Sequence, residues 1–87
     1  MLMKLNVLYF AQLREKFGVS QESIEVSDQV KTIADLVSFL ASRGSVWEEE
    51  LGGSLLHRFA LNQEMVESDA VLIDNAEVAI FRPVTGG

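Results

Sequence analysis

Glu77-Val78-Ala79-Ile80-Phe81-Arg82 places four consecutive apolar side chains between charged ends. A strand with one wet face alternates, so unbroken apolarity predicts a strand covered on both faces. As the last element of the chain, such a strand belongs mid-sheet, with a neighbour on each side. The segment after it, Pro83-Val84-Thr85-Gly86-Gly87, cannot prolong it. Pro83 has no N–H for a ladder and biases Arg82 towards extended backbone. The expected division is a domain over residues 1–82 and a flexible, extended, unpaired tail over 83–87. Gly86 and Gly87 add no side chains, so the end is thin enough to enter a narrow channel in another protein.

Working upstream, Thr32 and Asp35 form a variant of the capping box that opens a helix. Ile33, Leu36, Val37 and Leu40 then fall at helical spacing and make one apolar stripe, closed by Arg43-Gly44. Near the N-terminus Met3, Leu5, Val7 and Tyr9 alternate with Lys4, Asn6 and Leu8, which predicts a strand. Phe10 to Phe17 changes to helical spacing with Gly18 as its stop, and Ser23 to Val26 reads as a returning strand. After the main helix, Ser45 and Glu48 repeat the capping pattern, and Trp47 and Leu51 suit one or two further helical turns before Gly52-Gly53. Glu48-Glu49-Glu50 is expected to be a solvated face of that turn. Arg58 to Asn62 and Met65-Val66 predict short strands, and Asp74-Asn75 a turn before the last one. A hairpin, a helix laid across it and a buried terminal strand describe a mixed sheet gripping one helix, an α+β fold.

With 87 residues, 48% hydrophobic and one proline, the chain suits a single domain with one modest core. Its net charge of −6 opposes nucleic acid, because counterion release rewards cations on phosphate. A basic pocket on another protein is a better match. The first ten residues interrupt their apolar run with Lys4 and Asn6, unlike a signal peptide or spanning helix, so a cytoplasmic protein without a membrane partner is expected. Without cysteine there is no disulfide, thiolate metal site or thiol nucleophile. The single histidine, His57, makes neither a metal site nor a triad alone, and no metal ligands are assigned.

The candidate chemistry therefore lies in the tail. A carboxylate is a poor acyl donor because oxide is its leaving group. Conversion to a mixed anhydride with AMP cures this, and a sulfur nucleophile can then displace the nucleotide. The product, a thiocarboxylate, presents an anionic sulfur on an unhindered carbon if the terminal residue is glycine.

Three segments together resemble one family: Phe10-Ala11-Gln12-Leu13-Arg14-Glu15, Asn62-Gln63-Glu64-Met65-Val66, and Glu77 through Gly87 with its Pro-Val-Thr-Gly-Gly end. They resemble the small subunit of molybdopterin synthase, a ubiquitin-like sulfur carrier of β-grasp fold, as does the spacing of Thr32 and Trp47. The resemblance covers essentially the whole chain. It implies that Gly87 is adenylated by an enzyme akin to ubiquitin-activating enzymes and converted to a thiocarboxylate. Pro83, Val84, Thr85 and Gly86 would insert into the large synthase subunit, where sulfur passes to cyclic pyranopterin monophosphate. It also implies a heterotetramer with two large subunits, no bound cofactor, and a carrier that is not itself the catalyst.

By the same resemblance Met65 and Phe81 look like apolar contacts for both partners. Leu8 and Phe10 point away from the core face and could extend that patch. Arg14 and Arg82 could meet partner carboxylates, although exposed ion pairs contribute little. Arg82 stands where the family commonly has a second proline, and Asn75-Ala76 replaces a more usual Gly-Asp. A protein modifier joined through Gly87 to lysines, a thiamine-pathway sulfur carrier, and a plain interaction domain are the alternative readings.

Overall fold

A computed structural model of the protein describes residues 2–52 and 57–82. The alternating N-terminal segment forms β1 (Met3–Tyr9), followed by α1 (Ala11–Phe17) and β2 (Gln21–Val26). The main helix α2 (Ile33–Ala41) leads into α3 (Ser45–Leu51), and the remainder forms β3 (Arg58–Leu61), β4 (Glu64–Val66) and β5 (Ala76–Phe81). The sheet order is β2-β1-β5-β3-β4, so the last strand is central, as its composition predicts. β5 runs parallel to β1 and antiparallel to β3. A mixed sheet of this kind needs a long crossover between its parallel strands, and the helices supply it.

One face of the sheet is the core. Leu5, Val7 and Tyr9 of β1 and Val78 and Ile80 of β5 are buried there, together with Leu13 of α1, Ile33, Leu36 and Leu40 of α2, and Leu51 of α3. All three helices therefore pack on the same side. β5 is covered on that side by helices and on the other mainly by its own neighbours: Ala79 is buried, whereas Phe81 is only half-buried. The expectation of cover on both faces is met only in part. Ala79 is small enough to be shielded by flanking strands, and Phe81 is not.

The start of α2 shows why Thr32 and Asp35 matter. Thr32 Oγ1 accepts from the Asp35 N–H at 3.2 Å, and Asp35 Oδ2 accepts from the N–H groups of Thr32 and Lys31 at 3.1 and 3.0 Å. The next two helical N–H groups, of Ile33 and Ala34, donate to the carbonyls of Ala70 and Ser68 at 3.0 and 2.8 Å. Donors that a helix leaves unpaired at its first turn are thus satisfied, and the approach to β5 is tied to the helix. Bonds from Lys31 and Thr32 hold the Asp35 carboxyl below its ordinary pKa.

The second capping pattern is a correction. Gly44, at φ 79°, occupies the N-cap of α3, no side chain caps this helix, and Ser45 is already its first residue, at φ 49°. The turn out of α2 needs left-handed backbone, and glycine takes it without a Cβ penalty, which moves the helix start by one residue. Asn62 is also reassigned, from the end of a strand to a turn.

A polar and aromatic network closes one end of the core. The Tyr9 hydroxyl donates to Glu22 Oε2 at 2.6 Å, and Arg43 donates to the two Glu22 oxygens at 2.8 and 3.1 Å. The Arg43 guanidinium lies 4.5 Å over the Trp47 ring, and Trp47 stacks on Phe17 at 3.8 Å. Burial, then the bond to Glu22, pushes the Tyr9 phenol well above its usual range. For Glu22 burial alone would raise the pKa, but the bonds from Arg43 and Tyr9 and the Arg43 charge outweigh it, leaving the carboxyl below its ordinary value.

A carboxyl whose pKa is lowered by folding stabilises the protein above its unfolded pKa, near ~4.3, and loses that contribution as pH falls through the folded value. Stability followed by Trp47 fluorescence should therefore decline below that pH. Glu22→Gln is expected to cost about 1–3 kcal/mol at neutral pH and to flatten this acid decline; an unchanged pH profile would show that Glu22 does not carry it.

Candidate functional site

The sheet face away from the helices carries an apolar strip. Register pairs Leu8 with Ala79, Ala79 with Ala60, and Ala60 with Met65, so these four side chains cross β1, β5, β3 and β4 on one face. A second row begins with Phe10 and Phe81, whose rings meet edge to face at 6.3 Å, and continues to Arg58, the register partner of Phe81. Phe10 and Met65 are 47% and 59% exposed, which removes both from the core. Arg14 is exposed on α1, one helical turn after Phe10. A groove of about 380 Å³ opens beside Met65, bounded by His57, Phe59 and Glu67.

Met65 is presented by a tight hairpin. Asn62 and Gln63 connect β3 to β4 with φ of 50° and 72°, the left-handed pair that a two-residue turn requires. The Asn62 N–H donates to the Glu77 carbonyl at 2.8 Å, and its Oδ1 accepts from the Glu77 N–H at 2.9 Å. Asn62 therefore pins the hairpin against the central strand. Its tolerance of left-handed backbone was the available signal for this role; sequence periodicity alone placed it inside the strand.

The other side of the strand end is polar. Val78, Ile80 and Arg82 follow one another on the helix side, and Arg82 forms an ion pair with Glu50 of α3 and donates to Gln12 of α1 at 3.0 Å. Glu50 is 4% exposed, which corrects the expectation that the whole acidic run is solvated. Glu48 and Glu49 are exposed as expected. Helical rotation carries Glu50 inward beside Leu51, and the compensating cation comes from the distant end of β5. Arg82, which could have met a partner carboxylate, is thus engaged within its own chain.

Pro83, Val84, Thr85, Gly86 and Gly87 lie outside the described residues. Among the described residues no group of His, Cys, Asp or Glu could hold a metal ion, and no helix is long and apolar enough to cross a membrane.

The model of the ThiS family matches residues 7–87. The molybdopterin synthase sulfur carrier subunit of Escherichia coli is 40% identical over 84 residues, covering 95% of this chain and 99% of that one. Among solved structures, a putative molybdopterin converting factor subunit 1 from Pyrococcus furiosus superposes with a TM-score of 0.76 at 27% identity, over 94% of this chain and 99% of that one. A complex of subunits 1 and 2 of the molybdopterin-converting factor from Helicobacter pylori contains a chain of the same fold, with a TM-score of 0.62 at 22% identity over 98% and 100% of the two chains.

Met65→Ser should change the denaturant midpoint by no more than ~0.5 kcal/mol, because the side chain is largely in solvent. Asn62→Ala should cost about 1–2 kcal/mol, through the lost bond to Glu77 and the left-handed backbone. The reverse ranking would place Met65 in the core and remove it from the strip.

Proposed function

The chain belongs to the ThiS family, and from that membership we propose that it is the sulfur-carrier subunit of molybdopterin synthase, working through the carboxylate of Gly87. Identity to a named sulfur carrier across nearly the whole of both chains is the observation that carries this reading. An apolar strip that includes the strand preceding Pro83 supports the reading that the chain docks through that face.

In the proposed cycle the Gly87 carboxylate attacks the α-phosphorus of ATP on an adenylating enzyme of the ubiquitin-activating type, and pyrophosphate leaves. A sulfur nucleophile then adds to the acyl carbon, and AMP departs with the electron pair of the broken C–O bond. If that nucleophile is hydrosulfide, the product is already the thiocarboxylate. If it is the outer sulfur of a persulfide, a second thiol attacks the donor's sulfur, the S–S bond breaks, and the thiocarboxylate leaves with a disulfide as the other product. In the large synthase subunit that sulfur bonds to a carbon of cyclic pyranopterin monophosphate as a C–O bond there breaks and the oxygen leaves with the electron pair. Water then hydrolyses the resulting thioester, so that Gly87 returns to a carboxylate and the sulfur stays on the pterin. The large subunit, in a heterotetramer, and the cytoplasm are the partner and compartment of this proposal.

The chain's own contribution is presentation. Leu8, Phe10, Ala60, Met65, Ala79 and Phe81 offer apolar area that gains by being covered. Docking there makes delivery of the tail an intramolecular event, with the gain in effective concentration this brings. Side-chain-free residues at positions 86 and 87 leave both faces of the reacting carbon open.

Intact mass measured after co-expression with the adenylating enzyme and a sulfur source should rise by one oxygen-to-sulfur exchange, localised to Gly87. Adding a single residue after Gly87 should abolish transfer without altering the fold. Full activity of the extended chain would refute the mechanism, and ladders of conjugates on a denaturing gel would favour a protein modifier instead.

A further inference from the structure

Glu50 is the one buried charged residue among the described residues, and it is spent on the residue that precedes the tail. An ionised carboxylate in that position is costly unless matched, and even a matched buried pair is seldom more stabilising than two apolar side chains. Stability alone is a weak reason for this arrangement. Its geometry suggests another. Arg82 reaches α3 through Glu50 and α1 through Gln12, and its Nε is also removed from solvent. The next residue is Pro83, whose ring already restricts the backbone of Arg82 to extended conformations. On the opposite face of the same strand end, Phe81 is held edge to face by Phe10.

We propose that Glu50, acting through Arg82, is a positioning residue for the tail: the Glu50–Arg82–Gln12 clamp fixes the direction in which the chain leaves the domain relative to the Phe10–Phe81 docking strip. The inference rests on the sulfur-carrier reading. Five residues of extended chain reach at most roughly 18 Å, so a partner that has docked on the strip finds the reacting carbon only if the root points correctly. Fixing the root before binding removes an ordering cost from the encounter. For one residue of backbone that cost is on the order of tenfold in affinity.

Glu50 suits the test because a partner cannot touch a buried carboxylate. Glu50→Met replaces the charge with an apolar side chain of similar length, and Glu50→Gln keeps an acceptor for Arg82. In Glu50→Met the melting temperature should fall, because Arg82 loses its counter-charge, while hydrogen exchange at the Phe81 and Arg82 amides accelerates about tenfold. In ATP–pyrophosphate exchange catalysed by the adenylating enzyme, KM for this variant should rise about tenfold with kcat within about twofold. Glu50→Gln should recover most of the loss. A purely structural pair predicts the same fall in melting temperature with KM unmoved, and that result would overturn the proposal. So would wild-type exchange at Phe81 and Arg82 in Glu50→Met. If the wild-type chain is not adenylated at all, the sulfur-carrier reading fails, and the exchange comparison still decides the clamp.

Discussion

The parallel pairing of β5 with β1 holds the rest of the molecule in place. Leu5 to Tyr9 lie beside Ala76 to Ile80 in register, and this brings the two most buried strands together at the centre of the sheet. Parallel neighbours cannot be joined by a tight turn, so everything between them must travel across the sheet and back. The helices make that crossing on one face only. They seal Val7, Val78 and Ile80 completely and leave the other face to be covered by whatever binds there. The asymmetry that builds the core is therefore the same one that leaves the apolar strip exposed.

Because the central strand is also the last, its end inherits both environments. Phe81 faces the strip and Arg82 faces the helices, one residue apart. The strand end is thus held by an aromatic contact on one side and by an ion pair on the other.

Periodicity made much of the fold legible. The alternation in β1, the stripe of α2, the Thr32–Asp35 box and the unbroken apolarity of β5 are local patterns, each produced by residues within a few positions of one another. Features that failed to show are those made by distant partners. Glu50 read as one of three solvated acids because its neighbours in sequence are acidic; Arg82, which justifies its burial, is 32 residues away. Glu22 and Arg43, separated by 21 residues, likewise gave no sign that they would share the Tyr9 hydroxyl and the Trp47 ring between them.

From sequence by itself came the α+β class, the central place of the last strand, the outward face of Leu8 and Phe10 and a slender end suited to acyl chemistry. Each is dictated by backbone geometry and side-chain chemistry that neighbours alone can specify. Tertiary structure alone decided which face of β5 remains open, that Asn62 pins the hairpin carrying Met65, and that Arg82 turns inward to Glu50 and away from a partner. The reason is physical: burial and charge pairing depend on which surfaces meet, and surfaces meet only after the chain has closed on itself.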